Sequence, residues 1–361
     1  MSALAEYLLG FGFEVSGSDI TRSERTERLQ SKGVKIFLGH CAENVGDADV
    51  VVYNDAIKRD NAELAEAENR GLYVLSRAAL LSMISENFGV VAGVCGCHGK
   101  TTVTCMLAHI AKAAGEEFTA HIGGEDRELG GMASEGGNLF ISEVCEFKKN
   151  IAKFTADYAV CMSCAPDHLD CYKSEEELYE TYYAFFKKAK KCVLFDGDAV
   201  LNAYSGDNAV RFGTDKNSKY VLFDASEKNG KYSFDIARWG ETLARINLSV
   251  YGKHNAYDAL GAASVALEIG LPVKAVKKGL ESFTGVKRRF EEIGGIKGAK
   301  VIADYAHHPD EIAATVAAAR EITDKITVVF QPHTYSRTLF LKERFKEVFK
   351  GIPDVILYKT Y

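Results

Sequence analysis

The run Gly93-Val94-Cys95-Gly96-Cys97-His98-Gly99-Lys100-Thr101-Thr102 holds the residue types that handle phosphate. Backbone N–H groups around Gly96 and Gly99 can turn inward on an anion. Lys100 can reach the outer phosphates, and the Thr101 hydroxyl can ligate Mg²⁺. Apolar Val90-Val91-Ala92 leads in, and Val103-Thr104-Cys105-Met106-Leu107-Ala108-His109-Ile110 follows at helical period. That order is strand, phosphate loop, helix, and the helix adds its positive end. Strict Walker spacing wants glycine at 94. Val94 stands there, and the glycines fall at 93, 96 and 99, a GxxGxxGKTT pattern. A strand–turn–helix that binds no nucleotide shares this outline.

Two more candidate groups follow buried strands. Glu143 ends the apolar run 139–143, and His168 stands in Ala165-Pro166-Asp167-His168-Leu169-Asp170 after the run 158–163. Ligands bind at the C-terminal edge of an open α/β sheet, and the phosphate loop lies on that edge. A carboxylate and an imidazole there can ligate a metal or position water. Glu143 reads equally as a helix cap or salt-bridge partner, and His168 as a capping or core histidine.

The elements that must position these groups alternate. A helix pattern at Leu4, Tyr7 and Leu8 that the chain begins inside, a strand at 13–19, a helix at 26–32, strands at 34–37 and 50–54, a helix at 61–70 and a strand at 73–75 predict an open parallel sheet. Asp19 ends a strand where a doubly wound fold meets a ribose. His40 alone decides nothing. The strand and Gly-rich turn that should precede the first helix are missing. The helix over 175–191 carries Tyr and Phe as a core stripe. Short strands over 205–250 interrupt the α/β order, and helices follow at 252–270 and 273–285. The pattern then restarts: strand 301–305, a His-His-Pro turn, helix 310–320, strand 326–330, helix 339–349 and strand 355–358. It stops in mid-pattern, which reads as a C-terminal truncation.

The sequence has 361 residues, too many for one compact core, so two or three domains are expected. It is 47% hydrophobic and 26% charged, ordinary for a globular protein. A net charge of -6 argues against a general nucleic-acid surface. No apolar run reaches a membrane span, and the N-terminus lacks a signal peptide's basic region, so the expected place is the cytoplasm. Nine cysteines, an odd number, suit reduced thiols better than disulfides. Cys161 and Cys164 have CxxC spacing, but no second pair or histidine pair at zinc-ligand spacing is evident.

With MSALAEYLLGFGFEVSGSD, GCHGKTT, SEVCE, APDHLDCY, GKHNAYDALGAA, RRFE, DYAHHPDEI and QPHTYSRT in this order, the chain resembles the Mur ligase family. The resemblance runs from residue 1 to 361. It implies an α/β, three-domain architecture: a Rossmann-like UDP-sugar domain at 1–86, a P-loop ATPase domain at 87–285, and a partial Rossmann-like amino-acid domain at 286–361. It also implies ATP and Mg²⁺, with UDP-N-acetylmuramate and L-alanine as substrates. The muramoyl carboxylate would attack the γ-phosphate, and the alanine amine would displace phosphate from the acyl phosphate. By resemblance Gly96, Cys97, His98, Gly99, Lys100, Thr101 and Thr102 cradle phosphate, while Thr101, Glu143 and His168 hold the metal. Asn255 approaches the adenine, Asp304 the ribose, and Arg289 the γ-phosphate. Tyr305, His307, His333 and Arg337 face the amino acid, Arg337 being a natural carboxylate partner. Ser18, Asp19, His40 and Asn54 lie near the uridine diphosphate.

The chain departs from the family pattern at several points. Cys97 replaces Thr, Ser163 and Asp258 replace Asn, Cys145 replaces Asp, and Thr334 stands where alanine ligases carry Arg. Thr334 leaves open a recycling ligase that attaches a preformed peptide to the same sugar nucleotide. The missing Gly-rich UDP loop leaves open a nucleotide-binding paralogue without ligase activity, and the sequence as given is expected to be weakly active or inactive.

Overall fold

The computed structural model describes residues 1–134, 136–165 and 171–360. The first stretch comprises α1 (Ser2–Gly10), β1 (Ser16–Asp19), α2 (Glu24–Ser31), β2 (Lys35–Leu38), β3 (Val50–Tyr53), α3 (Ala62–Asn69), β4 (Tyr73–Ser76) and α4 (Arg77–Ser85). Side-chain caps start the helices: Ser23 and Thr26 form a capping box on α2, and Asn61 caps α3. β1 pairs with β2 and β3 with β4, both parallel. Instead of the one open sheet expected, these are two separate pairs, because no described strand joins β1 to β3. Leu4 of α1 and Leu81 and Ile84 of α4 lie in the same apolar cluster as Val91, Phe140 and Phe185. The first and last helices thereby seat this stretch on the sheet that follows.

That sheet holds the 93–102 loop and Glu143. Its elements are β5 (Val90–Cys95), α5 (Lys100–Ala114), β6 (Phe118–Asp126), β7 (Gly130–Ser134), β8 (Leu139–Glu143), β9 (Tyr158–Cys161), α6 (Glu175–Lys188), β10 (Lys191–Phe195), α7 (Ala199–Ala203), β11 (Ala209–Gly213), β12 (Tyr220–Lys228), β13 (Lys231–Arg238), β14 (Glu241–Tyr251), α8 (Lys253–Ile269) and α9 (Val273–Ser282). Ten strands run in the order β14-β13-β12-β11-β10-β9-β5-β8-β6-β7. β5 sits between β8 and β9, parallel to both and covered on both faces, so its run is continuously apolar. One face packs α5, α8 and α9. The other packs α6, whose Tyr182, Phe185 and Phe186 are fully buried as the stripe predicted.

The β-rich patch does not interrupt the fold. β12 joins β11 in parallel, and β13 and β14 extend the same sheet antiparallel, turning at Asn229-Gly230 and Trp239-Gly240 with all four residues at positive φ. β7 escaped the sequence reading because Gly130-Gly131-Met132-Ala133-Ser134 has little β-propensity; it is held by antiparallel pairing with β6.

The last stretch comprises β15 (Glu291–Ile296), β16 (Ala299–Ala303), α10 (Pro309–Arg320), β17 (Thr327–Phe330), α11 (Tyr335–Phe340), α12 (Lys342–Phe349) and β18 (Asp354–Leu357). β15 and β16 form an antiparallel hairpin, and β17 and β18 a parallel pair. The single helix expected over 339–349 is two helices meeting at Leu341, which turns inward to join Ile312, Val316, Phe330, Phe345 and Ile352. No described helix is long and apolar enough to cross a membrane. Six of the nine cysteines are buried.

Candidate active site

The loop between β5 and α5 is built from close approaches. Gly96 and Gly99 have φ of +114° and +78°. A Cβ at Gly96 would lie 2.8 Å from the Ser163 carbonyl oxygen, and one at Gly99 would lie 2.6 Å from Asp258 Oδ1. Only glycine fits both demands. The backbone N–H of Cys97 donates to the Ser163 carbonyl and that of His98 to Ser163 Oγ, each at 3.1 Å. The Cys97 thiol donates to the Ala165 carbonyl at 2.7 Å, so this residue still offers a donor.

Lys100 folds back over the loop, donating to the carbonyls of Gly96 and Cys97. Its ammonium is 3.3 Å from Glu146, whose side chain is 1% exposed. Burial opposes the lysine charge, but Glu146 foremost among its neighbours outweighs that and lifts the pKa above the ordinary lysine range. Thr101 and Thr102 are buried in the first turn of α5.

Glu143 ends β8 opposite Val94 of β5 and accepts the Gly123 N–H at 2.8 Å. A Cβ at Gly124 would fall 2.8 Å from Thr101 Cγ2. Gly123-Gly124 is the part of β6 that lies against both Thr101 and Glu143. His168 lies outside the described residues.

Arg289 approaches from the far side. Its flanking residues Arg288 and Phe290 have positive φ, and Asp304 holds the segment by accepting the N–H groups of Phe290 and Ala306 at 2.7 Å each. Burial pushes the Asp304 pKa up despite those bonds. With both oxygens on backbone, the carboxylate that sequence assigns to a ribose also shapes the Arg289 turn. Asn255 donates to the Tyr251 carbonyl at 2.6 Å in the first turn of α8. Farther along that helix Asp258 faces Gly99, and burial pushes its carboxyl to about 8, with Arg289 acting in the opposite sense.

The residues expected on the acceptor side also gather. His307 Nδ1–H donates to the Tyr305 carbonyl at 2.9 Å, and its ring is 5.9 Å from that of His333. Arg337 donates to His333 Nδ1 at 3.3 Å. Burial, then His307 and Arg337, lower the His333 pKa.

Glu311, which carries no role in the sequence reading, joins these groups to the phosphate loop. Its carboxylate is 3.3 Å from His98 Nδ1 and 3.8 Å from Arg289, and it accepts the His307 N–H at 3.0 Å. Burial opposes its ionisation, yet the bond from His98 and the charge of His307 hold its pKa far below the usual carboxylate range. The signal was present in His308-Pro309-Asp310-Glu311, a capping box with glutamate at the third helical position.

Family profiles match in the same order along the chain: the Mur ligase family catalytic domain over residues 1–89, the Mur ligase middle domain over 94–266, and the Mur ligase glutamate ligase domain over 288–360. The UDP-N-acetylmuramate–L-alanine ligase of Acetivibrio thermocellus is 41% identical, aligned over 100% of this chain and 79% of that protein. The Aquifex aeolicus protein of the same name is 39% identical over 100% and 81%. The chain belongs to the Mur ligase family. The crystal structure of UDP-N-acetylmuramate–alanine ligase from Thermotoga maritima superposes with a TM-score of 0.88 at 29% identity, covering 100% of this chain and 83% of that one.

In this Mur ligase the N-terminal candidates fall into two groups. Ser18 Oγ is 3.0 Å from His40 Nδ1 and donates to Glu63 at 2.6 Å, so Glu63, unmarked in sequence, draws the two together. Asp19 is exposed, accepts the Thr21 N–H, and meets Gly39 through its backbone carbonyl. Asn54 stands apart in an exposed turn, capping Ala56. Next to it a cleft is lined by Tyr53, Asp55, Lys58, Arg59, Lys148 and Lys153, and Asn150 donates to Asp55 across it at 2.7 Å.

Proposed function

We propose that this Mur ligase joins L-alanine to UDP-N-acetylmuramate at the expense of ATP, in peptidoglycan precursor synthesis. The observation that carries the reading is that the loop bearing Lys100 and Thr101 meets Glu143 across Gly123-Gly124, while Glu311 joins His98 of that loop to Arg289 and to the His307, His333 and Arg337 group. A carboxylate is a poor electrophile at neutral pH, and moving a phosphoryl group onto an anion demands charge neutralisation. Lys100 and Arg289 supply cations for the triphosphate. Glycines at 96 and 99 let the loop lie against Ser163 and Asp258, and the start of α5 above it offers the positive helix end that favours phosphate. Thr101 and Glu143, close across Gly123-Gly124, suit Mg²⁺, with His168 as a third ligand on sequence grounds. The metal, when bound, would neutralise phosphate charge.

The muramoyl carboxylate oxygen then bonds to the γ-phosphorus and ADP leaves. The alanine amine attacks the acyl carbon, loses a proton, and phosphate departs. Arg337 would hold the alanine carboxylate. Asn255 and Asp304 would contact the nucleoside, and Ser18, Asp19, His40 and Asn54 the UDP moiety. The cleft lined by Lys58, Arg59, Lys148 and Lys153 offers cations to its diphosphate. The division at 1–86, 87–285 and 286–361 is part of this reading. The test is ADP release that requires UDP-N-acetylmuramate and L-alanine together; release with no amino acid acceptor at all would sink it.

Thr334 favours a second reading, attachment of a preformed peptide to the same sugar nucleotide. It has φ of +64°, costly for a β-branched residue, and it caps α11 by accepting the Arg337 N–H. Turnover with a tripeptide but not with alanine would select that reading.

A further inference from the structure

His98 of the phosphate loop meets His308 and Asp310, which open α10. One donor atom from each lies within 4.8 Å of the others. Asp310 Oδ2 is 3.9 Å from His98 Nε2 and 3.4 Å from His308 Nδ1, and the two imidazole centroids are 5.0 Å apart.

Three features make this more than a chance meeting. First, His98 Nδ1 faces the Glu311 carboxylate at 3.3 Å. With Nδ1–H donating to that carboxylate, the neutral ring keeps its lone pair on Nε2. That Nε2 is buried and makes no hydrogen bond among the described residues. Second, Arg344 occupies Asp310 Oδ1 at 2.5 Å, which leaves Oδ2 turned toward the rings. A carboxylate behind the histidine and a cation on the far oxygen of the aspartate are outer partners of the kind that orient metal ligands. Third, His308 is 1% exposed while the Asp310 side chain is 46% exposed, so one side of the cluster opens to water for a fourth ligand. His308 Nδ1 accepts the Asp310 N–H at 3.3 Å, a long bond that an ion would displace.

We infer that His98, His308 and Asp310 form a site for a borderline divalent cation of the zinc class, joining the phosphate loop to the C-terminal stretch. Tetrahedral zinc, with bonds of about 2.0–2.2 Å, keeps its donor atoms roughly 3.4 Å apart, close to the two separations to Asp310. Two imidazoles and one carboxylate suit Zn²⁺ or Co²⁺; Mg²⁺ prefers oxygen and belongs with Thr101 and Glu143. His98 is remote in sequence from His308 and Asp310, so no spacing rule reveals the site. An ion bound here holds α10 against the phosphate loop and slows any turnover that needs them to part.

The test is titration of the full chain, stripped with a chelator, with Co²⁺ and then with Zn²⁺ as competitor. One Co²⁺ per chain is expected, with visible d–d absorption and no thiolate-to-cobalt band. Asp310→Asn should weaken that affinity about 10-fold or more. His98→Asn, on the other side, should do the same, and it answers the question if the α10 variant does not fold. Absence of saturable binding, a thiolate band from the nine cysteines, or unchanged affinity in a folded variant overturns the site. The readout uses no substrate, so its failure leaves the ligase reading standing.

Discussion

Lys100 and Glu146 show how a reactive cation is kept in place when nothing is bound. The pair is 3.3 Å apart, with Glu146 almost wholly buried. Removing one partner of a buried pair costs more than the pair contributes, about 3–5 kcal/mol, because the other charge is stranded. Lys100→Met should therefore lose both turnover and stability, and Lys100→Met/Glu146→Gln should recover the melting temperature while turnover stays lost. A double variant as unstable as the single one would show that the ion pair is not the source of the loss. Asp258 makes a pH-dependent counterpart. Its folded pKa, about 8 through burial, exceeds the ordinary carboxylate value of about 3.9. The folded state thus binds the extra proton, and its stability falls as pH rises from about 4 to about 8. Asp258→Asn abolishes that cost, so its melting advantage over the parent should grow from pH 5 to pH 8 and level off above. Melting curves across that range check it, and a constant offset would refute the assignment. Above pH 8 the parent places a new anion beside Gly99, so its KM for ATP should rise while that of Asp258→Asn should not.

The phosphate loop is only as well placed as α5, which is clamped by α9. A Cβ at Gly279 of α9 would lie 2.5 Å from the Cα of Ile110, backbone that cannot yield. Gly279→Ala should push the helices apart at a cost of about 1–3 kcal/mol, seen in thermal unfolding, and raise the KM for ATP through the shifted helix start. Unchanged unfolding would mean the helices separate freely. Much at this scale was legible in the sequence. The order Val90-Val91-Ala92, glycines, Lys100-Thr101-Thr102 places a strand, loop and helix by local chemistry alone, and the structure has β5 and α5 there. The aromatic stripe of α6 is likewise core. What could not be read depends on partners remote in sequence. β7 is a strand because β6 is beside it, and Leu341 breaks a helical run because Phe330 and Phe345 draw it inward. Glu63 and Glu311 look like surface carboxylates until the fold brings Ser18 to His40 and His98 to Arg289.

Across the whole molecule, the C-terminal stretch touches the nucleotide loop through Glu311, and this contact sets two demands in opposition. Arg289 is 3.8 Å from Glu311, yet the proposed chemistry asks it to meet the γ-phosphate. His98 is tied to Glu311 as well, so the contact both positions the loop and competes with the ligand for its cation. Glu311→Gln separates these effects, because glutamine can still cap α10 but carries no charge. With charge removed, Arg289 is freer for phosphate, so the KM for ATP should hardly rise. The acceptor side loses its register on the loop, so kcat should fall about 10–100-fold, the scale of a misplaced reacting group. The pH dependence has a definite sign. The folded pKa of Glu311 is depressed, so its stabilisation is complete above the ordinary glutamate value of about 4.3 and disappears as pH falls toward the folded value. The variant's deficit in melting temperature should be plain at pH 7 and shrink below about pH 4. Hydrogen exchange in α10 should quicken in the variant while β5 stays protected. A variant with parental kcat and parental exchange would show that this carboxylate does not couple the two parts of the enzyme.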